Sequence, residues 1–86
     1  MATFIRTRSG RYINLDHIVY ISVEETKITD QGRKIEVYKV VAHLPAPMNP
    51  AVLGIFKSEK EAFRVLDELV LRTAGKDNII YVPTEF

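Results

Sequence analysis

The strongest constraint on this chain is that it holds one long amphipathic helix, bracketed by recognisable end signals. Ser58-Glu59-Lys60-Glu61 has the spacing of a capping box, in which Ser58 accepts from the N–H of Glu61 and the Glu61 side chain reaches back to the N–H of Ser58. Gly75 stands where a C-terminal cap belongs, so the predicted helix covers roughly residues 59 to 74. At about 100° per residue, Ala62, Phe63, Leu66, Leu69, Val70, Thr73 and Ala74 share one face with Val65 at its flank. Lys60, Glu61, Arg64, Asp67 and Glu68 take the other, and Leu71 falls among these charges.

Nearly everything before the helix reads as strands and turns. Phe4 to Arg8 and Arg11 to Asn14 are short strands turned by Ser9-Gly10, and Asn14-Leu15-Asp16 is a kink, since Asn and Asp favour local bonds to backbone. His17 to Val23 is rich in β-branched and aromatic residues with apolar groups on both faces, which predicts a central strand. Thr29-Asp30-Gln31-Gly32 turns it into a second strand over Arg33 to Leu44. Pairing Val23 with Tyr38, Ile21 with Val40 and Val19 with Ala42 keeps apolar beside apolar. It also sets Glu25 against Glu36 and Lys27 against Lys34, which calls for a bulge near the turn. Pro45, Pro47 and Pro50 exclude a regular strand over 44 to 50, and Val52 to Phe56 leads into the helix cap. The tail from Asn78 to Val82 is too apolar and β-prone for a frayed terminus, so it should add to an edge of its own sheet, pack over the helix or pair with another copy.

These elements define an α+β fold: a twisted antiparallel sheet of about five strands, a meander or partial barrel, with one C-terminal helix packed on it. The 86 residues make one small domain, 1–86, with no cysteine for a disulfide or thiolate site. No run approaches membrane-spanning length and nothing at Met1 to Arg6 resembles a leader, so a cytoplasmic protein without membrane contact is expected. A net charge of +1 gives no strong overall field.

Catalytic and cofactor signals are missing from the pattern. Gly10, Gly32, Gly54 and Gly75 are dispersed rather than gathered in a phosphate loop, and no HExxH, CxxC or EF-hand spacing occurs. His17 and His43 could share neighbouring strands near Asp16, but two histidines without a third ligand do not define a metal site. Ser58 is used as a cap, while Ser9 and Ser22 have no sequence-evident base. No enzyme, cofactor or metal is expected.

Two features suit binding. Leu44-Pro45-Ala46-Pro47-Met48-Asn49-Pro50 can extend as polyproline and engage a protein partner or simply bridge two strands. Arg6-Thr7-Arg8-Ser9-Gly10-Arg11 gathers three arginines without an acid beside Phe4 and Tyr12, and guanidinium forks and aromatic faces suit phosphates and unstacked bases. Phe4-Ile5-Arg6-Thr7-Arg8-Ser9 followed by Tyr12-Ile13-Asn14-Leu15-Asp16-His17-Ile18 resembles the basic segment and asparagine-leucine strand of LytTR-type DNA-binding domains. The resemblance spans residues 4 to 18 and implies DNA contacts at Arg6, Arg8 and Arg11.

The leading expectation is a small non-catalytic interaction module that self-associates as a homodimer, because the double-sided apolar strand, Leu71 and the β-prone tail offer more apolar surface than one helix covers. Leu71, Tyr20 and Ile80 are the candidate self-association residues. The alternative is a nucleic-acid binder using Arg6, Arg8, Arg11 and Tyr12.

Overall fold

A two-residue turn sets the geometry of most of the molecule. Gln31 and Gly32 both take positive φ, 52° and 78°, the conformation that joins two right-handed strands without splaying them. The computed structural model describes residues 3–73 and 79–86, with backbone only at 72 and 73. Its elements are β1 (Phe4–Arg6), β2 (Tyr12–Asn14), a short 3-10 turn (Leu15–His17), β3 (Tyr20–Asp30), β4 (Arg33–His43), β5 (Ala51–Phe56), α1 (Glu59–Thr73) and β6 (Ile79–Tyr81).

The α+β class stands, but the strands form two three-stranded sheets, β2-β1-β6 and β3-β4-β5, rather than one sheet of about five. Nor are they all antiparallel, because β6 pairs parallel to β1 with Ile80 beside Ile5. The tail therefore docks on its own chain. The Gly75 cap and Asn78 lie outside the described residues.

The tight turn closes the pair Asp30 and Arg33, which fixes the whole ladder two residues away from the expected register. Val23 lies opposite Val40, Ile21 opposite Ala42 and Glu25 opposite Tyr38, while Lys27 faces Glu36. The like-charge clash of the expected register is thereby replaced by an opposite-charge pair, and no bulge is needed near the tip. The register irregularity comes elsewhere, between β4 and β5, where Val40 pairs with Gly54 and Val41 with Val52, leaving Leu53 as the extra residue.

His17 to Val23 is not one central strand. Asn14 accepts from the N–H of Asp16 and opens the 3-10 turn, so β3 begins only at Tyr20 and lies at a sheet edge. β4 is the central strand. Its Val40 and Ala42 join Ile5, Leu53, Phe56, Ala62, Val65, Leu69 and Ile80 in one core, with Leu15, Ile18, Ile21, Val23, Tyr38 and Val82 packed against it. The helix and the inner face of the small sheet thus bury the same face of the large sheet. On its other face Val37, Val41 and Ile55 are also buried, with Thr26 beside Val37 and Ser22 and Val52 beside Val41 in the ladders. The surplus apolar area on β4 is accommodated within one chain.

Ser58 caps the helix as expected, accepting from Glu61 N at 3.1 Å. The Glu61 carboxylate, however, engages Arg64, which also pairs with Glu68. The Arg64 hydrogen bond holds the Glu61 carboxyl below its ordinary range, against an opposing contribution from desolvation. The buried stripe is rotated from the expected one: Ala62, Val65 and Leu69 are enclosed, Leu66 is half-buried, and Phe63 and Val70 are exposed at 47% and 60%. Sheet contacts, rather than the helix's own moment, choose the arc that is covered.

Leu69→Ala should therefore lower stability by about 2–5 kcal/mol, and Phe63→Ala by less despite its larger side chain, because Phe63 is half in solvent. Ser58→Ala should cost about 1 kcal/mol. Urea melts with an unchanged denaturant slope measure all three, and a larger loss at Phe63 than at Leu69 would overturn the assignment of faces.

Candidate nucleic-acid interface

Alternation along three short strands creates a surface of unusual composition. In β2-β1-β6, Ile5 and Ile80 point inward and are fully enclosed, so their strand neighbours point outward. Arg6 is flanked by Tyr12 on β2 and Tyr81 on β6, and Phe4 by Asn14 and Ile79. Tyr12 and Tyr81 are each 52% exposed, Ile79 and Phe4 somewhat less. The Arg6 guanidinium lies 5.9 Å from the centre of the Tyr81 ring, within cation–π reach. Phe4, Tyr12 and Ile79 enclose a shallow apolar depression of about 280 Å³. None of the three strands carries a carboxylate.

The turn between β1 and β2 places the remaining arginines. Gly10 has φ +87°, and the turn is closed by Thr7 N to Arg11 O at 2.7 Å and Gly10 N to Thr7 O at 3.0 Å. Thr7 is 4% exposed, and its hydroxyl accepts from Arg11 N at 3.0 Å while sharing a hydrogen bond with Ser9. A buried hydroxyl with two partners is a structural fixture. Arg11 and Tyr12 edge a cleft of about 590 Å³ whose far wall is Leu44 and the segment from Pro47 to Ala51. The proline segment from Leu44 to Pro50 is not an extended polyproline, because it folds into a turn in which Met48 N donates to Pro45 O at 3.0 Å.

The structure sets Arg6 between Tyr12 and Tyr81 and places Arg11 at the cleft beside Tyr12. Arg8 lines a second hollow with Arg6 and Tyr81, its Nε donating to the Phe86 main-chain oxygen at 2.7 Å. The self-association residues do not converge. Ile80 is a core residue at 1% exposure because its parallel partner is the buried Ile5, so it cannot serve as a contact. Leu71, 75% exposed on the helix, and Tyr20, on β3, belong to different elements.

A second cluster was hidden by the register. His43 lies opposite Tyr20 and stacks on it with ring centres 4.1 Å apart. Its Nε2 is 2.8 Å from Ser22 Oγ and 3.2 Å from Glu24 Oε2, and Ser22 also donates to Glu24. Ser22 thus has a base within reach that the sequence does not make evident, because the ladder brings His43 to it. Hydroxyl and carboxylate nevertheless address the same ring nitrogen, whereas activating a nucleophile needs the acid on the second nitrogen. His17 sits apart in the 3-10 turn, and among the described residues no group of three His, Asp or Glu side chains gathers to hold a metal ion.

No helix among the described residues is long and apolar enough to cross a membrane. Comparison with protein-family models, characterised proteins and solved structures gives no match.

Thr7→Val keeps the shape of the side chain but leaves the Arg11 N–H without its side-chain acceptor. It should destabilise the domain by about 1–3 kcal/mol, measured by denaturant unfolding, and a neutral result would show that the turn does not depend on Thr7.

Proposed function

We propose that the chain is a non-catalytic binding module that takes single-stranded nucleic acid on the outer face of the β2-β1-β6 sheet. The observation that carries this reading is the row Tyr12–Arg6–Tyr81 on strands that lack any carboxylate. Strand spacing of about 4.8 Å puts the two tyrosines about 10 Å apart with a guanidinium between them. Such a sheet accommodates about two or three splayed bases.

The energetics favour stacking over charge. A net charge of +1 gives little long-range attraction for a polyanion. Stacking on an exposed aromatic contributes about 1–3 kcal/mol per base, and the platform offers Tyr12 and Tyr81 with Phe4 beside them. Arg6 and Arg11 then supply local phosphate contacts. The cleft beside Tyr12 and Arg11 extends the surface past the sheet edge. Arg6 and Arg11 are also among the residues to which the LytTR-type resemblance points, but a flat aromatic face suits unstacked bases better than the grooves of a duplex.

Fluorescence anisotropy with labelled single-stranded and duplex oligonucleotides tests this. Single strands should bind better than duplex, with a logarithmic salt slope of about −1.4 if Arg6 and Arg11 each neutralise one phosphate. Tyr12→Ala and Tyr81→Ala should each weaken binding by about fivefold to 150-fold, whereas Arg64→Gln on the helix should leave it unchanged. Absence of binding at about 50 mM salt, a preference for duplex, or indifference to both tyrosines would each sink the proposal.

A further inference from the structure

The two outer edges of the large sheet are treated differently. Along β5, Arg8 N donates to Val52 O at 3.0 Å, Ile55 N to Thr84 Oγ1 at 2.9 Å, Glu85 N to Ile55 O at 2.9 Å and Lys57 N to Glu85 Oε1 at 3.0 Å. That edge is stitched shut. β3 is the other edge, eleven residues long, and its outward main-chain groups have no hydrogen-bond partner among the described residues. The two-residue turn makes Asp30 and Arg33 a hydrogen-bonded pair, so Thr26, Ile28, Glu24 and Ser22 direct their main-chain groups to β4. Ile21, Val23, Glu25, Lys27 and Thr29 direct theirs outward.

We infer that β3 pairs antiparallel with β3 of a second copy about a two-fold axis at Thr26, joining two three-stranded sheets into one of six strands. The occupant follows from charge and symmetry. A two-fold through an antiparallel junction stands normal to the sheet and keeps each side chain on its own face, so only registers centred on a residue are available. Centring on Glu24, Glu25 or Lys27 sets like charges against each other on the axis. Centring on Thr26 instead puts Glu25 of each copy opposite Lys27 of the other, twice, and Thr26 opposite Thr26, a favourable ladder pair. Val23 then meets Thr29, and about eight main-chain hydrogen bonds close the junction.

The surroundings of Glu25 support this arrangement. Glu25, Glu36 and Glu59 all lie near the Tyr38 hydroxyl, whose pKa is raised first by desolvation and then by these carboxylates. Lys27 of a second copy brings a cation to that acidic locality. Charged residues on an edge strand ordinarily discourage pairing. Here their order, Glu25-Thr26-Lys27, is self-complementary when the strand is reversed.

Sedimentation velocity of the whole chain at high micromolar concentration tests the inference. The unmodified protein should sediment as a dimer. Glu25→Lys alone and Lys27→Glu alone each create like-charge pairs at the junction and should raise the dimer dissociation constant by about tenfold or more. The two variants mixed together, or the double exchange in one chain, should restore the dimer. Because the double exchange does not restore the opposition of Lys27 to Glu36 within the chain, recovery reports the contact between copies; circular dichroism confirms that each variant is folded. A monomer at high micromolar concentration overturns the inference, as does a dimer indifferent to both single exchanges. A dimer that dissociates on Leu71→Glu but not on either charge exchange also overturns it and moves the interface to the helix.

Discussion

The turn at Gln31-Gly32 is the constraint on which the rest depends. Two adjacent residues at positive φ leave the paired strands no loop residue to spare, so every cross-strand neighbour from Asp30–Arg33 to Tyr20–His43 follows from it. Val40 and Ala42 consequently meet the helix and Ile5, while Lys27 meets Glu36 and His43 comes within reach of Ser22. A slip of two residues would keep every side chain on its face and lose all of these partners.

That same property explains what the sequence could and could not reveal. Local chemistry was legible: Ser58 as a cap, Gly10 and Gly32 in turns, the prolines that interrupt the strands, and Arg6 brought beside Tyr12 by the first hairpin. Register was not, because period-two patterning is satisfied equally by ladders two residues apart. The like charges that the slipped ladder would oppose, Glu25 to Glu36 and Lys27 to Lys34, are the signal in the sequence that favours the observed register. The helix rotation was hidden for a related reason: with apolar residues on a wide arc, packing against β4 and the small sheet decides which part is covered.

The candidate site was half visible. Arg6, Arg11 and Tyr12 lie close in sequence, so their association needs only a hairpin. Tyr81 joins them through a parallel pairing between distant segments, which no local pattern announces. The same pairing buries Ile80, turning an apparent interface residue into part of the core.

The parallel contact of β1 with β6 also bears on when the surface comes into being. Its two strands come from opposite ends of the described chain, and closing so long a loop is the entropically slowest kind of contact to form. The β3-β4 hairpin can nucleate locally around its turn. The aromatic row, by contrast, exists only after residue 81 has left the ribosome and found β1, so a nascent or truncated chain presents Arg6 and Tyr12 without Tyr81.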